Sequence, residues 1–247
     1  MNRIVITLVL VAFLLGLITG LGISSCNNTK TAAQDVPTAV AKEESPSLAK
    51  DARVITYQGI DVSHHQGNID WEKVSTDANI QFVYLKATEG STHKDKTYDY
   101  NLKESRKAGL RIGSYHYLRN TSSIRKQFKN FTRVAKREQQ DLIPMVDVEE
   151  RVPKDSIRLF CRLLTEHYGK QPAIYGTNRS YNSFCAPDFN DYVLMIGRYG
   201  QRPPVISGPS HYDIWQYSEK GVIPGIPKPV DLNRLHPDFD ISNLLLQ

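Results

Sequence analysis

Short apolar runs and stripes of helical period alternate along most of the chain. Ile55 to Val62 reads as a strand, and Asp70 stands where it can cap a short helix from Trp71 to about Asp77. Ile80 to Ala87 predicts a second strand. From about Tyr98 to Ala108, Leu102, Ser105 and Ala108 fall on one helical face, and Gly109 stops that helix. Leu110 to Leu118 predicts a third strand, with Tyr115 and Tyr117 on one face. Ile124, Phe128, Phe131 and Ala135 form the stripe of the next helix, capped by Ser122 or Ser123. Leu142 to Glu149 is a fourth strand. Asp155 is the expected cap of a helix whose buried side carries Ile157, Phe160, Cys161, Leu164 and Tyr168 and which Gly169 ends. Pro172 to Gly176 is a fifth strand.

Beyond this point the pattern changes. Tyr192 to Arg198 and Tyr212 to Tyr217 read as strands, but the link between them holds three prolines and two glycines and has no helical period. Gly221 to Pro229, again rich in Gly and Pro, leads to Val230-Asp231-Leu232-Asn233, the eighth strand candidate. Alternating strand and helix points to a parallel α/β arrangement, and eight strands point to a barrel. The helix-poor end makes it an irregular TIM-like (β/α) barrel.

Composition narrows the class. Of 247 residues, 40% are hydrophobic and 23% charged, as in ordinary globular proteins, and the net charge is +5. That excess suits an anionic polymer but is too small to argue for nucleic acid, and no basic stripe, zinc spacing or RNA-binding motif supports that class. Arg3 is followed by an apolar run from Ile4 to Ile23 and then by Ser24-Ser25-Cys26. A positive start, an apolar core and small residues at its end read as a secretory signal. Small residues just before Cys26 favour a lipoprotein-type signal (1–25), with lipid added to the Cys26 sulfur, over an uncleaved apolar anchor. Residues 26–53, polar and without periodicity, read as a flexible tether, and the catalytic domain as 54–247. Both readings of the N-terminus place the domain outside the cytoplasm and tethered to a membrane. A Cys161–Cys185 disulfide is open in such a compartment.

The chemistry gathers at predicted strand ends. Asp147 and Glu149 are two residues apart, so on a strand they face the same way while Val148 faces the other. Two neighbouring carboxylates repel, which raises a pKa and keeps one carboxyl protonated as a general acid. Asp-x-Glu alone is common and mostly means solvated acids at a strand end. Here, however, Asp61, Glu89 and Asp231 also follow strands, and in such barrels the reactive groups sit at the C-terminal strand ends. Tyr115, Tyr117, Tyr175, Trp215 and Tyr217 fall in the same zone. Converging carboxyls between aromatic walls suit a carbohydrate, one carboxyl protonating a glycosidic oxygen while rings pack on sugars. His64 and His65 invite a metal, but neighbouring strand-end residues should point in opposite directions, so no metal or cofactor is expected.

Read together, these blocks resemble glycoside hydrolase family 25, the muramidases or Chalaropsis-type lysozymes. The likeness runs from about Gln58 to Phe239. It rests on Gly59-Ile60-Asp61-Val62-Ser63-His64-His65-Gln66-Gly67, Ile69-Asp70-Trp71, Lys86-Ala87-Thr88-Glu89-Gly90, Tyr115-His116-Tyr117, Asp147-Val148-Glu149, Trp215-Gln216-Tyr217 and Val230-Asp231-Leu232-Asn233. The resemblance implies a barrel of five β/α units followed by three strands, and hydrolysis of the β-1,4 bond between N-acetylmuramic acid and N-acetylglucosamine. It implies Glu149 as general acid, Asp147 as its partner at the substrate's N-acetyl group, and Asp61 and Asp231 as outer carboxylates. Glu89, Tyr115, Tyr117, Tyr175 and Trp215 are the expected sugar contacts. The expected partners are peptidoglycan glycan strands and, through the N-terminus, a membrane, with the domain a monomer. Relatives from phages carry wall-binding repeats after this domain; the chain ends at Gln247, so wall affinity is expected from the cleft itself. Two residues rise ~6.6 Å along a strand, which aims both acids at one sugar, and the resemblance, by analogy with other enzymes acting on N-acetyl sugars, implies attack by the substrate's N-acetyl oxygen rather than by a direct nucleophile ~5 Å from the acid. A non-catalytic wall-binding lipoprotein and a chitinase-like enzyme on the same fold are the alternatives.

Overall fold

The computed structural model describes residues 57–246. The predicted signal segment, Cys26 and the tether lie outside the described residues. Within them, nine strands form one sheet: β1 (Gly59–Val62), β2 (Phe82–Glu89), β3 (His93–Lys94), β4 (Ile112–Tyr117), β5 (Met145–Asp147), β6 (Ala173–Thr177), β7 (Leu194–Gly197), β8 (Ile214–Gly221) and β9 (Val230–Leu235). The order is β1-β9-β8-β7-β6-β5-β4-β2, and β1 also pairs with β2, so these eight close into a barrel. The short β3 folds back antiparallel on the end of β2. Seven staves run parallel, and β9 alone runs antiparallel to both its neighbours, β8 and β1.

Helices α1 (Trp71–Val74), α2 (Tyr98–Lys107), α3 (Ile124–Val134), α4 (Lys154–Tyr168) and α5 (Asn178–Phe184) follow β1, the β2–β3 ribbon, β4, β5 and β6. The barrel therefore has five β/α units and then three strands. The side-chain alternation of the strands splits the interior into two layers. Phe82 and Tyr84 point inward with Met145, Tyr175, Met195 and Ile214. Val83 and Leu85 point outward and pack with Phe131 of α3 and Phe160 and Leu164 of α4. Because both faces are buried, β2 reads as a continuous apolar run rather than an alternating one.

Several sequence expectations change here. The strand expected over Leu142 to Glu149 shrinks to Met145–Asp147. Pro144 has no N–H to give to a ladder, though its carbonyl still accepts from Ala173 N at 2.9 Å. Alternation nonetheless persists past Asp147, because Val148 N donates to Tyr175 O at 2.9 Å and its side chain is buried in the outer layer. Asp155 does not cap α4; Pro153 takes that place, and Asp155 lies in the first turn, where its charge still favours the helix dipole. Gly169 ends α4 with φ 82°, a left-handed conformation that costs a glycine little. Helix α5 has no apolar stripe of its own. Its local signal is Thr177, whose hydroxyl accepts from Ser180 N at 3.0 Å. Cys161 and Cys185 are buried free thiols, each pushed up to about 12 by burial.

Candidate active site

The parallel staves all end at one rim. Since β9 runs the other way, its beginning, not its end, reaches that rim. This puts Asp231 directly opposite Asp61, while Tyr117 and Tyr175 flank Asp147 on the neighbouring strands. Here the barrel opens into a cavity of about 130 Å³, with Asp61, Asp147, Glu149 and Asp231 on its walls and Met145 and Met195 among its apolar lining. Tyr115 and Tyr175 line it too.

The four carboxyls form two pairs. Asp61 is buried and accepts from Asn233 Nδ2 at 2.9 Å and Gln216 Nε2 at 3.0 Å. Burial raises its pKa, and these two donors together with the Asp231 carboxyl oppose the rise. Asp231 is pushed up to about 8, first by burial and then by the charge of Asp61. The two carboxyls titrate as one coupled pair, in which a proton held between them offsets their mutual repulsion.

Asp147 is 6% exposed, and its Oδ1 has no hydrogen-bond partner. Burial, and next the charge of Glu149, raise its pKa well above the ordinary carboxylate range, against the pull of Lys86. Glu149 sits beyond the end of β5 and reaches solvent. Its pKa is raised by desolvation against the cleft wall and lowered by Lys86, with Asp61 adding a smaller rise. The rise at Glu149 agrees with the expectation from its spacing to Asp147. In the free protein the stronger pull belongs to Asp147, because Asp147 is enclosed and Glu149 is at the mouth.

Three expected sugar contacts are placed differently. Glu89 is not on the cavity wall: it pairs with Lys86 Nζ at 2.7 Å and with Arg119 Nε at 2.9 Å. These cations hold it down at about 2 despite its partial burial. They also lie over the Tyr117 ring, at 5.2 and 4.7 Å from its centroid, so Tyr117 borders the acid pair rather than lining the cavity. Trp215 lies on the opposite face of β8 from Gln216. Its Nε1 donates to Arg198 O at 2.6 Å and Arg234 covers its ring at 5.7 Å. His64 and His65 do not diverge either. They occupy a 3₁₀ turn with rings 4.0 Å apart, and His64 Nδ1 bonds Asp95 at 2.7 Å.

Two polar wall residues, Gln216 and Tyr199, are not among the site residues expected from the sequence. Gln216 Oε1 accepts from Tyr175 at 2.8 Å and from Tyr199 at 3.2 Å, while its Nε2 holds Asp61. Strand parity could have found it, since Ile214 faces the inner core and Gln216 is two residues on. Tyr199 stands in the Gly/Pro-rich link and carries no periodic signal. Gly197 makes room for this network, because a Cβ there would lie 2.6 Å from the Tyr175 hydroxyl.

Carboxyls in pairs, one pair at the end of β5 and just beyond it, between tyrosines at the mouth of an α/β barrel, define the chemistry of a glycoside hydrolase. The chain belongs to glycosyl hydrolases family 25, whose family model matches residues 60–226. It is 34% identical to the uncharacterised protein YegX of Escherichia coli K12, over 72% of this chain and 69% of that one. It is 30% identical to lysozyme M1 of Streptomyces globisporus, over 72% and 67%. Among solved structures, the bacterial lysozyme of Streptomyces coelicolor superposes with a TM-score of 0.67 at 29% identity, covering 76% of this chain and 94% of that one.

Proposed function

We propose that the domain is an N-acetylmuramidase that hydrolyses the β-1,4 bond between N-acetylmuramic acid and N-acetylglucosamine in peptidoglycan. The observation that carries this reading is the unpartnered, buried Oδ1 of Asp147 beside Glu149 at the cavity mouth. A substrate amide N–H is the donor that oxygen lacks. N-acetyl sugars carry one next to the scissile bond.

The geometry supports a substrate-assisted route. The acetamido N–H donates to Asp147, and a donor to the charged form lowers a carboxyl's pKa. The proton of the Asp147–Glu149 pair then moves toward Glu149, which gives it to the leaving glycosidic oxygen. The acetamido oxygen attacks the anomeric carbon as that bond breaks, and anionic Asp147 faces the resulting positive ring. Glu149, now a base, takes a proton from the water that opens the ring and is regenerated. Positioned proton transfer of this kind is worth ~10²–10⁴-fold. Asp61 and Asp231, sharing one proton, border the sugar without adding a second full negative charge.

Mass spectrometry of fragments released from purified peptidoglycan tests the reading. New reducing ends on N-acetylmuramic acid are expected. Reducing ends on N-acetylglucosamine, or no release, would overturn it. The Ile23-Ser24-Ser25-Cys26 run supports export, with the domain held at a membrane through lipid on Cys26.

A further inference from the structure

The cationic excess of this chain is concentrated on one helix. Of the eleven residues of α3, Arg125, Lys126, Lys129 and Arg133 are cationic and none is acidic. All four are exposed, and none is in an ion pair found among the described residues. Helix stability does not explain this choice. Arg125 and Lys126 fall in the first turn, where the dipole favours acids, and Ser123 offers the N-terminus no side-chain cap.

Lys126, Lys129 and Arg133 recur at helical spacing and, with Asn130, line one side of a shallow groove whose other side is Ser91 and Thr92. Asn130 ties the two sides together, its Nδ2 donating to Gly90 O at 3.1 Å and His93 O at 2.9 Å. The loop starts where β2 ends at Glu89, the residue that holds Lys86 and Arg119 against Tyr117. Three residues of chain reach at most ~11 Å, so Thr92 lies within a few sugar lengths of the acid pair's border. The groove therefore lies on the side of the barrel that Glu89, Lys86 and Arg119 border. A glycan strand in that cleft carries, on every N-acetylmuramic acid, a peptide stem with free carboxylates.

We propose that the groove between residues 90–93 and α3 binds the carboxylates of peptidoglycan stem peptides, through Lys126, Lys129 and Arg133, and so selects peptide-bearing strands over bare glycan. This rests on the muramidase reading for its substrate. It also supplies wall affinity from outside the cleft. Charges at the edge of a site act on encounter and on salt dependence more than on the chemical step.

The test measures binding and turnover separately. Co-sedimentation uses full-length protein carrying Glu149→Gln, with and without Lys126→Gln/Lys129→Gln/Arg133→Gln. The probes are peptidoglycan freed of covalently attached polymers, the same glycan stripped of stems by an amidase, and phosphatidylglycerol vesicles. The triple substitution is expected to weaken binding to peptide-bearing wall about tenfold at low salt, to flatten its salt dependence, and to leave binding to stripped glycan unchanged. In the otherwise native enzyme, the same substitution should raise KM on peptide-bearing wall with little change in kcat. Equal binding of both proteins to peptide-bearing wall overturns the proposal, as does a loss seen only on vesicles, which would assign the face to a lipid surface. Since co-sedimentation needs no catalysis, failure of the groove and failure of the muramidase reading are told apart.

Discussion

The two carboxyls of the Asp-x-Glu segment differ in enclosure, and this governs what each substitution does. Glu149→Gln keeps the shape of the side chain but has no proton to give, so turnover on peptidoglycan is expected to fall at least ~10²-fold with oligomer binding retained. Glu150 is the built-in control. Its carboxylate accepts from Asn120 N at 2.5 Å and Arg119 Nη1 at 3.2 Å, holding the loop after β4. Glu150→Gln should therefore keep turnover within the same order of magnitude, and the reverse ranking would mean the acid has been misassigned. The other pair leaves its mark on stability. With Asp231 raised to about 8 from an ordinary 3.8, the folded protein keeps a proton that the unfolded chain has released across that interval. This contribution is complete below pH 4 and is lost as pH rises through 8. Asp231→Asn should consequently lose less stability than the native protein between pH 5 and pH 8, as read from urea midpoints at both values. Parallel slopes would show that Asp231 is not protonated in the fold.

At the scale of elements, α3 does more than cover the barrel. Its buried Gln127 donates to Arg119 O at 2.7 Å and Ser122 O at 2.9 Å, accepts from Arg119 N at 2.9 Å, and meets His116 Nε2 at 3.1 Å. Gln127→Leu would remove these links together and leave buried polar groups unpaired, at a cost of about 1–3 kcal/mol, checked by thermal or urea unfolding. Turnover should fall as well, since Arg119 is freed from the border of the acid pair. How far such elements can be read from sequence depends on how they meet the core. The stripes of Leu102, Phe131 and Phe160 mark α2, α3 and α4 because one face of each is buried and the other wet. Helix α5 is short and polar, and only the Thr177 cap betrays it. The carboxyls were legible because acids stand out at the ends of apolar runs. The outward turn of Trp215 was not, since a one-residue change of parity in an aromatic block leaves composition untouched. Nor was the burial of Glu89 between two cations, which depends on a loop contact from Arg119, thirty residues along the chain.

At the scale of the whole molecule, the proposed lipoprotein signal and the barrel make separate predictions. Cys26→Ala should leave the precursor uncleaved at that point and without acyl chains, as read by metabolic lipid labelling. Labelling equal to the native protein would rule out the lipoprotein signal. The barrel was foreseeable from eight apolar runs, and its irregular end from the loss of helical period after Gly176. The reversal of β9 was not, because a strand's direction is decided by its connection and its partners rather than by its own residues. That reversal has a consequence in time. Asp61 is near the start of the barrel's sequence, and the amide that steadies it, Asn233, is 172 residues further on. A chain made N-terminus first carries Asp147 and Glu149 long before β9 arrives to complete the ring between β8 and β1. Until that final strand docks, the nascent polypeptide has an acid pair but no enclosed pocket to hold a sugar against it. Cutting power therefore arrives all at once, with delivery of the last stave.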